Sequence, residues 1–428
     1  MSPTPPNPRA QLRWRAQVVR PPTARRRPRV LDARHLLTMV ETPATSKLLP
    51  VSIVAGPDAR TLVQVVLSRR EKCRFGLLAS GNADASDFPA NHDQLLVEHL
   101  AAASGGGYDP GQIKAQISAF AEKGLVDHLI IECDSKTHPI ALASLFLPDG
   151  AAGREFATVA RLSSILLAIE AKALLNSIVK GNDEPNVTSS CILADQIECA
   201  DTVVLNGNPA ESDFKAARAV VSALTPSTRI MPRSLETTLP SPLDGERSFD
   251  FEAAFAGAGW RTLMETEPGV RNGDEGVTMF VYRARRPFHP EKFWNLIQEP
   301  FAGVFRAKGF FWLASRMDMV GGLNIAGAEC HYSPAGQWWA AINSDDAEIP
   351  DRLKNEWAQP FGDRRQAISF MGIDLNAPEL SARLDACLLS ESEMKAGEPS
   401  WAMLPDPFPA WSARTHDHEC DDHDCCHH

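Results

Sequence analysis

Short apolar runs of about five residues recur along the first half of this chain, separated by stretches with helical spacing. P-V-S-I-V-A (50–55), F-G-L-L-A (75–79), H-L-I-I-E (128–132) and T-V-V-L-N (202–206) are such runs. Thr61–Arg70, Asp93–Ala103, Gln112–Lys123, Ile192–Ala200 and Phe214–Leu224 have helical spacing, and Leu162–Ile169 fits strand or helix. Strands of about five residues alternating with helices of ten or more indicate βαβ units in a parallel sheet with helices on both faces. Ligands of such sheets sit at the carboxyl ends of the strands, which places Gly56, Glu132 and Asn206 at the expected site.

Residues 225–275 carry Pro226, Pro232, Pro240 and Pro242 and read as a loose connection with one helix near Phe249–Ala256. A mixed α+β domain follows. Its expected strands are Val277–Arg283, Gly309–Ser315, Gln337–Asn343 and Ala367–Asp374, and its expected helices are Pro290–Ile297 and Pro378–Leu389. The organisation is therefore an arm (1–47), a parallel-sheet domain (48–240), a linker (241–275), a second domain with its trailing arm (276–412) and a tail (413–428). At 428 residues, two or three domains are expected, at roughly 150 residues each.

The two ends differ from the body. The first forty residues hold nine arginines against one acid, Asp32, with prolines that interrupt helices, and are expected to be disordered. Met39 offers an alternative start. The last thirteen read H-D-H-E-C-D-D-H-D-C-C-H-H. His416, His418, Cys420, His423, Cys425, Cys426, His427 and His428 are a dense set of imidazoles and thiols among five carboxylates. That chemistry suits zinc or another divalent transition metal, while the spacing matches no closed structural finger. The bland reading is a solvated acidic tail; the ligand density favours metal.

Six cysteines outside the tail, Cys73, Cys133, Cys191, Cys199, Cys330 and Cys387, are scattered singly, which points to a reducing, cytoplasmic setting. A net charge of −11 argues against nucleic acid as partner. No run approaches the ~20 apolar residues of a membrane span. His289, His331, Trp312, Trp338 and Trp339 read as structural, and Arg283, Arg285 and Arg286 as a solvated basic face.

The loop after the first strand reads A-G-P-D-A-R-T-L (55–62). Gly56 stands where a phosphate loop needs glycine, and Arg60-Thr61 stand where Lys-Thr would. The loop is about three residues short of that motif, and Pro57 removes an amide donor.

The second domain carries V-Y-R-A-R-R-P-F-H-P-E-K-F-W (281–294), R-A-K-G-F-F-W-L-A-S-R (306–316), G-Q-W-W-A-A (336–341), G-I-D-L (372–375) and D-P-F-P-A-W (406–411). These resemble the C-terminal domain of the CobW-type GTPases, a family of metal chaperones and metal-insertion proteins. L-P-V-S-I-V-A-G (49–56), I-I-E-C-D-S-K-T-H-P (130–139) and A-D-Q-I-E-C-A-D-T-V-V-L-N (194–206) resemble the GTPase half of the same family. The resemblance implies a P-loop-NTPase-like parallel-sheet domain followed by a smaller α+β CobW C-terminal domain. It also implies GTP and magnesium as ligands, zinc or a related metal as cargo, and a client metalloprotein as partner; a second copy of the chain is a further candidate partner, and the sequence does not give the oligomeric state.

Four departures from the family pattern stand out. The phosphate loop is shortened. The guanine-reading Asn-Lys-x-Asp becomes Asn206-Gly207-Asn208-Pro209. S-G-G-G-Y-D (104–109) holds no cysteine where a Cys-x-Cys-Cys metal motif would fall. Ser80-Gly81-Asn82 replaces the magnesium-side carboxylate. Glu132 is the main survivor of the catalytic set, and Gly56, Arg60, Thr61 and Asn206 are the remnant nucleotide site. Without the lysine and amide cradle, weak or absent hydrolysis is expected. Three readings follow: a metal chaperone or buffer with weak or lost GTP hydrolysis, an active GTP-dependent zinc chaperone, and a regulatory scaffold that handles no metal.

Overall fold

The computed structural model of the chain describes residues 15–18, 48–69, 73–81, 87–88, 95–100, 108–124, 126–133, 137–147, 157–181, 189–232, 248–342 and 349–411. After β1 (Arg15–Val18), the strands β2 (Leu49–Ala55), β3 (Phe75–Ala79), β4 (Leu95–His99), β5 (His128–Glu132), β6 (Ala160–Glu170), β7 (Thr202–Asn206) and β8 (Arg229–Pro232) follow. The strands β2 to β8 form a seven-stranded sheet in the order β4-β3-β5-β2-β6-β7-β8. Every pairing in it is parallel.

Each residue of β2, β3, β5 and β7 is buried, which is why these runs read as continuously apolar. Side chains alternate between the two faces. Val51, Ile53, Leu129, Ile131, Leu167 and Val203 share one buried cluster with residues of α2 (Pro110–Lys123), α5 (Ser190–Cys199) and α6 (Glu211–Leu224). Val54, Leu77, Ile130, Leu166 and Val204 lie under α1 (Ala59–Arg69) on the other face. Two short helices, α3 (Pro139–Ala143) and α4 (Ala171–Leu174), complete the connections. Helix α2 starts where Asp109 accepts from the amides of Gly111 and Gln112, with Pro110 in the first turn, and stops at left-handed Gly124.

The second sheet is built from β9 (Arg271–Asn272), β10 (Val277–Ala284), β11 (Val304–Phe311), β12 (Met319–Ala326), β13 (Glu329–Gln337) and β14 (Gln366–Ile373). With β1 it runs β1-β13-β12-β11-β14-β10-β9. Its pairings are antiparallel except that of β1 with β13. Helix α7 (Gly259–Met264) joins the two domains, and α8 (Pro290–Ile297) and α9 (Ala377–Asp385) cover the second. Phe288 and Phe293 stack at 4.2 Å between ring centres in an aromatic core that Phe311 and Phe408 extend. Arg316 grips both oxygens of Asp406 at 2.7 and 3.0 Å, fastening the 406–411 segment to the domain.

Three expectations change. Leu95–His99 is a strand where helical spacing was expected for Asp93–Ala103. Leu95 and Val97 pack on the α1-side core while Leu96 and Glu98 face outward, a period of two, and β3 offers an edge to pair with. The strand expected over Gln337–Asn343 ends at Gln337, because Asp363 accepts from the amides of Trp339 and Ala340 at 3.0 Å and starts a helical turn there. Within the arm expected to be disordered and outside the fold, Arg15–Val18 pair with the outer edge of β13, where a strand edge has backbone groups to satisfy.

The domains share their interior. Val277, Phe305, Ala326 and Met371 of the second sheet belong to the same buried cluster as Val220, Leu224 and Leu263. Beside that cluster, fully buried Arg306 donates to Glu198 and Asp195, both at 2.7 Å, and to the side chain of Asn324. Lys308 reaches the same two carboxylates at 2.7 and 3.2 Å. Burial alone would raise the Asp195 pKa, but the charges of Arg306 and Lys308 outweigh it and hold the carboxyl well below its usual range. Among the described residues no helix is long and apolar enough to cross a membrane.

Candidate functional site

The carboxyl ends of β2, β5 and β7 meet at one corner of the parallel sheet. Strand β2 runs into Gly56, whose φ of +96° suits a residue without a side chain. A Cβ there would lie 2.4 Å from the carbonyl oxygen of Ala168 on β6. The turn Gly56-Pro57-Asp58 is closed by two backbone bonds: the Asp58 amide donates to Ala168 O at 3.1 Å, and the Ala59 amide to Gly56 O at 3.1 Å. Helix α1 begins directly after it.

Arg60, in the first turn of α1, points back across the sheet end. Its Nε donates to Glu132 Oε1 at 2.7 Å and its Nη2 to Glu132 Oε2 at 2.8 Å, a bidentate pair. Nη2 also donates to the Ser80 carbonyl at 3.2 Å, and Nη1 lies 3.8 Å from Asp87. The guanidinium sits 5.5 Å from the centre of the Phe88 ring. The hydrogen bond to Glu132 raises the Arg60 pKa further above its usual value, against the opposing effect of burial. On the far side, Asn206 Nδ2 donates to Asp58 Oδ2 at 3.1 Å.

The structure thus brings Gly56, Arg60, Glu132 and Asn206 to one corner, with Thr61 half-buried beside Arg60. It also adds groups that the sequence reading left out: Asp58, Asp87, Phe88 and the Ser80 carbonyl. The only signal for Asp58 was its place between the glycine and the helix. His416, His418, Cys420, His423, Cys425, Cys426, His427 and His428 lie outside the described residues. Asn82 and most of the 104–109 stretch do as well.

This corner does not fit a nucleotide triphosphate and magnesium. A phosphate cradle needs amides that point at the ligand and a cation free to meet it. Here the amides of Asp58 and Ala59 are bonded within the chain, and Pro57 has none. Asp58 puts a carboxylate into the turn itself. The nearby cation Arg60 is held on both oxygens of Glu132. Glu132 is therefore an ion-pair partner in this arrangement, with neither oxygen turned to a ligand.

Residues 277–388 match the profile described as the cobalamin synthesis protein cobW C-terminal domain. Residues 109–232 match that of the CobW/HypB/UreG nucleotide-binding domain. The chain belongs to the CobW family. The nucleotide-domain match begins after β4, so β2, the Gly56 turn, α1 and β3 fall outside it. Gly56, Asp58 and Arg60 of the corner thus lie outside the matched span, and Glu132 and Asn206 within it.

Among relatives, the chain is similar to zinc-regulated GTPase metalloprotein activator 1 of Dictyostelium discoideum. The two are 27% identical over 314 residues, which is 68% of this chain and 66% of that protein. A protein of Mycobacterium tuberculosis named a zinc chaperone is 35% identical over 152 residues, 34% of this chain and 37% of its own length. The chain therefore spans just under two thirds of the first relative and little over a third of the second. The zinc-bound YjiA GTPase from E. coli aligns with 80% of this chain and 99% of its own at 12% identity and a TM-score of 0.33, too distant to argue from.

Proposed function

We propose that this CobW-family protein handles zinc, as a chaperone or buffer that delivers metal to a client metalloprotein, and does so without turning over nucleotide. The observation that carries the second half is the Arg60–Glu132 pair with the amides of the Gly56 turn bonded within the chain. Phosphoryl transfer relies on positioned cations and amides around the phosphates. In this chain those groups are consumed by internal partners. The names of the relatives, one a zinc-regulated metalloprotein activator and one a zinc chaperone, support zinc as cargo and delivery as the task.

His416, His418, Cys420, His423, Cys425, Cys426, His427 and His428 are the residues proposed to collect the metal. A tail of imidazoles and thiols exchanges ligands one at a time, which suits transfer better than a closed tetrahedral cage. Uptake should weaken as pH falls through the imidazole range, because protons compete for the same lone pairs.

The test is a zinc titration of the full chain and of a chain lacking residues 416–428, with GTP turnover followed in both. Loss of most zinc equivalents on removing the tail, with turnover at background in both, is the expected result. Turnover stimulated by magnesium and zinc would restore the reading as an active GTP-dependent chaperone. Full-length protein that takes up no zinc at micromolar concentration would leave only the scaffold reading.

A further inference from the structure

Where the two domains meet, Cys191, Glu329 and His331 converge, and their ligand atoms all lie within 4.8 Å of one another. Cys191 is in the first turn of α5; Glu329 and His331 are alternate residues of β13 and so share one face of the strand. We propose that this trio is a second, interdomain metal site, for zinc or another borderline divalent transition ion, that no family motif marks.

The local architecture explains how the trio is held. Glu329 caps α5 from the other domain. It accepts from the Ser190 amide at 3.1 Å, the Cys191 amide at 3.1 Å and the Ser189 hydroxyl. Those bonds fix the start of α5, and with it Cys191, against β13. Cys191 Sγ lies 3.6 Å from Asn324 O and 3.9 Å from Glu329 O, its nearest hydrogen-bond acceptors. His331 Nε2 is 3.4 Å from Glu329 Oε2, while Nδ1 is buried and has no hydrogen-bond partner. A buried ring nitrogen without a partner is costly to keep, and a metal ion would use the imidazole's free lone pair.

Charge and access agree with a divalent guest. Arg306 and Lys308 are paired with Asp195 and Glu198, and Glu329 beside His331 adds a third carboxylate, so the seam holds two cations and three carboxylates. Binding would displace the Cys191 proton, and the added thiolate would make the local balance two negative charges, which one divalent ion neutralises. A sulfur ligand favours zinc, cobalt or copper over magnesium and calcium. Three protein ligands leave a fourth position open, the arrangement of sites that exchange or react. His331 also lines a cavity of about 270 Å³ with Trp260, Lys308, Asn324 and Ser333, which opens onto this one member of the trio.

This site is independent of the tail, and its test separates the two. In the full chain, His416, His418, Cys420, His423, Cys425, Cys426, His427 and His428 are all replaced by serine, which removes the imidazoles and thiols of the tail. Cobalt(II) is then titrated and the thiolate-to-cobalt charge-transfer absorption followed. That band should saturate at one equivalent, vanish when Cys191→Ser is added, and need at least tenfold more cobalt when His331→Ala is added. The metal-free melting temperatures of the Cys191→Ser and His331→Ala chains should match that of the parent, while the rise on adding zinc is lost. No thiolate band in the tail-serine chain, or a band that survives Cys191→Ser, overturns the proposal.

Discussion

The polar cluster at the sheet corner and the one at the domain seam have met opposite fates. At the corner of the parallel sheet, Arg60, Glu132, Asp58 and Asn206 bond to one another and to nearby backbone. At the seam between domains, Arg306, Lys308, Asp195 and Glu198 also satisfy one another, yet Cys191 and His331 beside them keep ligand atoms with weak partners or none. The difference teaches that a set of charged residues at a strand end is not by itself a ligand site. What matters is whether the donors and acceptors are already spent. By that measure the cation and the turn amides of the sheet corner are spent, although Asn206 Oδ1 is buried there without a partner; at the seam Glu329 is bonded to the start of α5, while Cys191 and His331 stay open to a guest.

The largest test of the comparison is Arg306→Met. It leaves buried Glu198 and half-buried Asp195 with Lys308 as their remaining cation, and removing one partner of a buried ion pair costs about 3–5 kcal/mol. Urea unfolding should lose that much; a loss below about 1 kcal/mol would mean that the seam is not a lock between domains.

Arg60→Ala should cost less, about 1–3 kcal/mol, because Arg60 is one-third exposed although Glu132 is left buried without its partner. Nucleotide affinity should not appear in this variant, since the turn amides stay bonded within the chain. Isothermal titration with GTP checks it, and tight binding would show that Arg60 alone closes the corner.

The smallest effect is graded acid sensitivity at the seam. Asp195 has a depressed folded pKa, so its stabilisation is present above the unfolded carboxylate value of about 3.9 and is lost as pH falls below it. Stability measured between neutral pH and the carboxylate range should therefore change little on this account. Arg306→Met should flatten the fall seen below that range, and an unchanged slope would remove Asp195 as its cause.

Much of the first domain was legible from short apolar runs because a strand buried on both faces must be apolar throughout, as β2, β5 and β7 are. Leu95–His99 was not, since a half-covered edge strand of five residues carries too few apolar positions to separate a period of two from a helix. Strands β12 and β13 escaped for a similar reason: Gly321, Gly322, Ser333 and Gly336 dilute their apolar pattern. The corner residues were visible from their places at strand ends, whereas the bidentate Arg60–Glu132 bond was not, because 72 residues separate its partners.

The sequence by itself determined the parallel sheet, the family, the shortened Gly56 turn and the tail of imidazoles and thiols. Local periodicity, turn chemistry and composition act over a few residues, so they can be read in order along the chain. Which charges found partners was decided only by the tertiary structure. The Glu329–Cys330–His331 alternation shows that an acid and a histidine share a strand face, but Cys191 arrives there from 138 positions earlier. Packing α5 against β13 sets that contact, and long-range packing has no local signature.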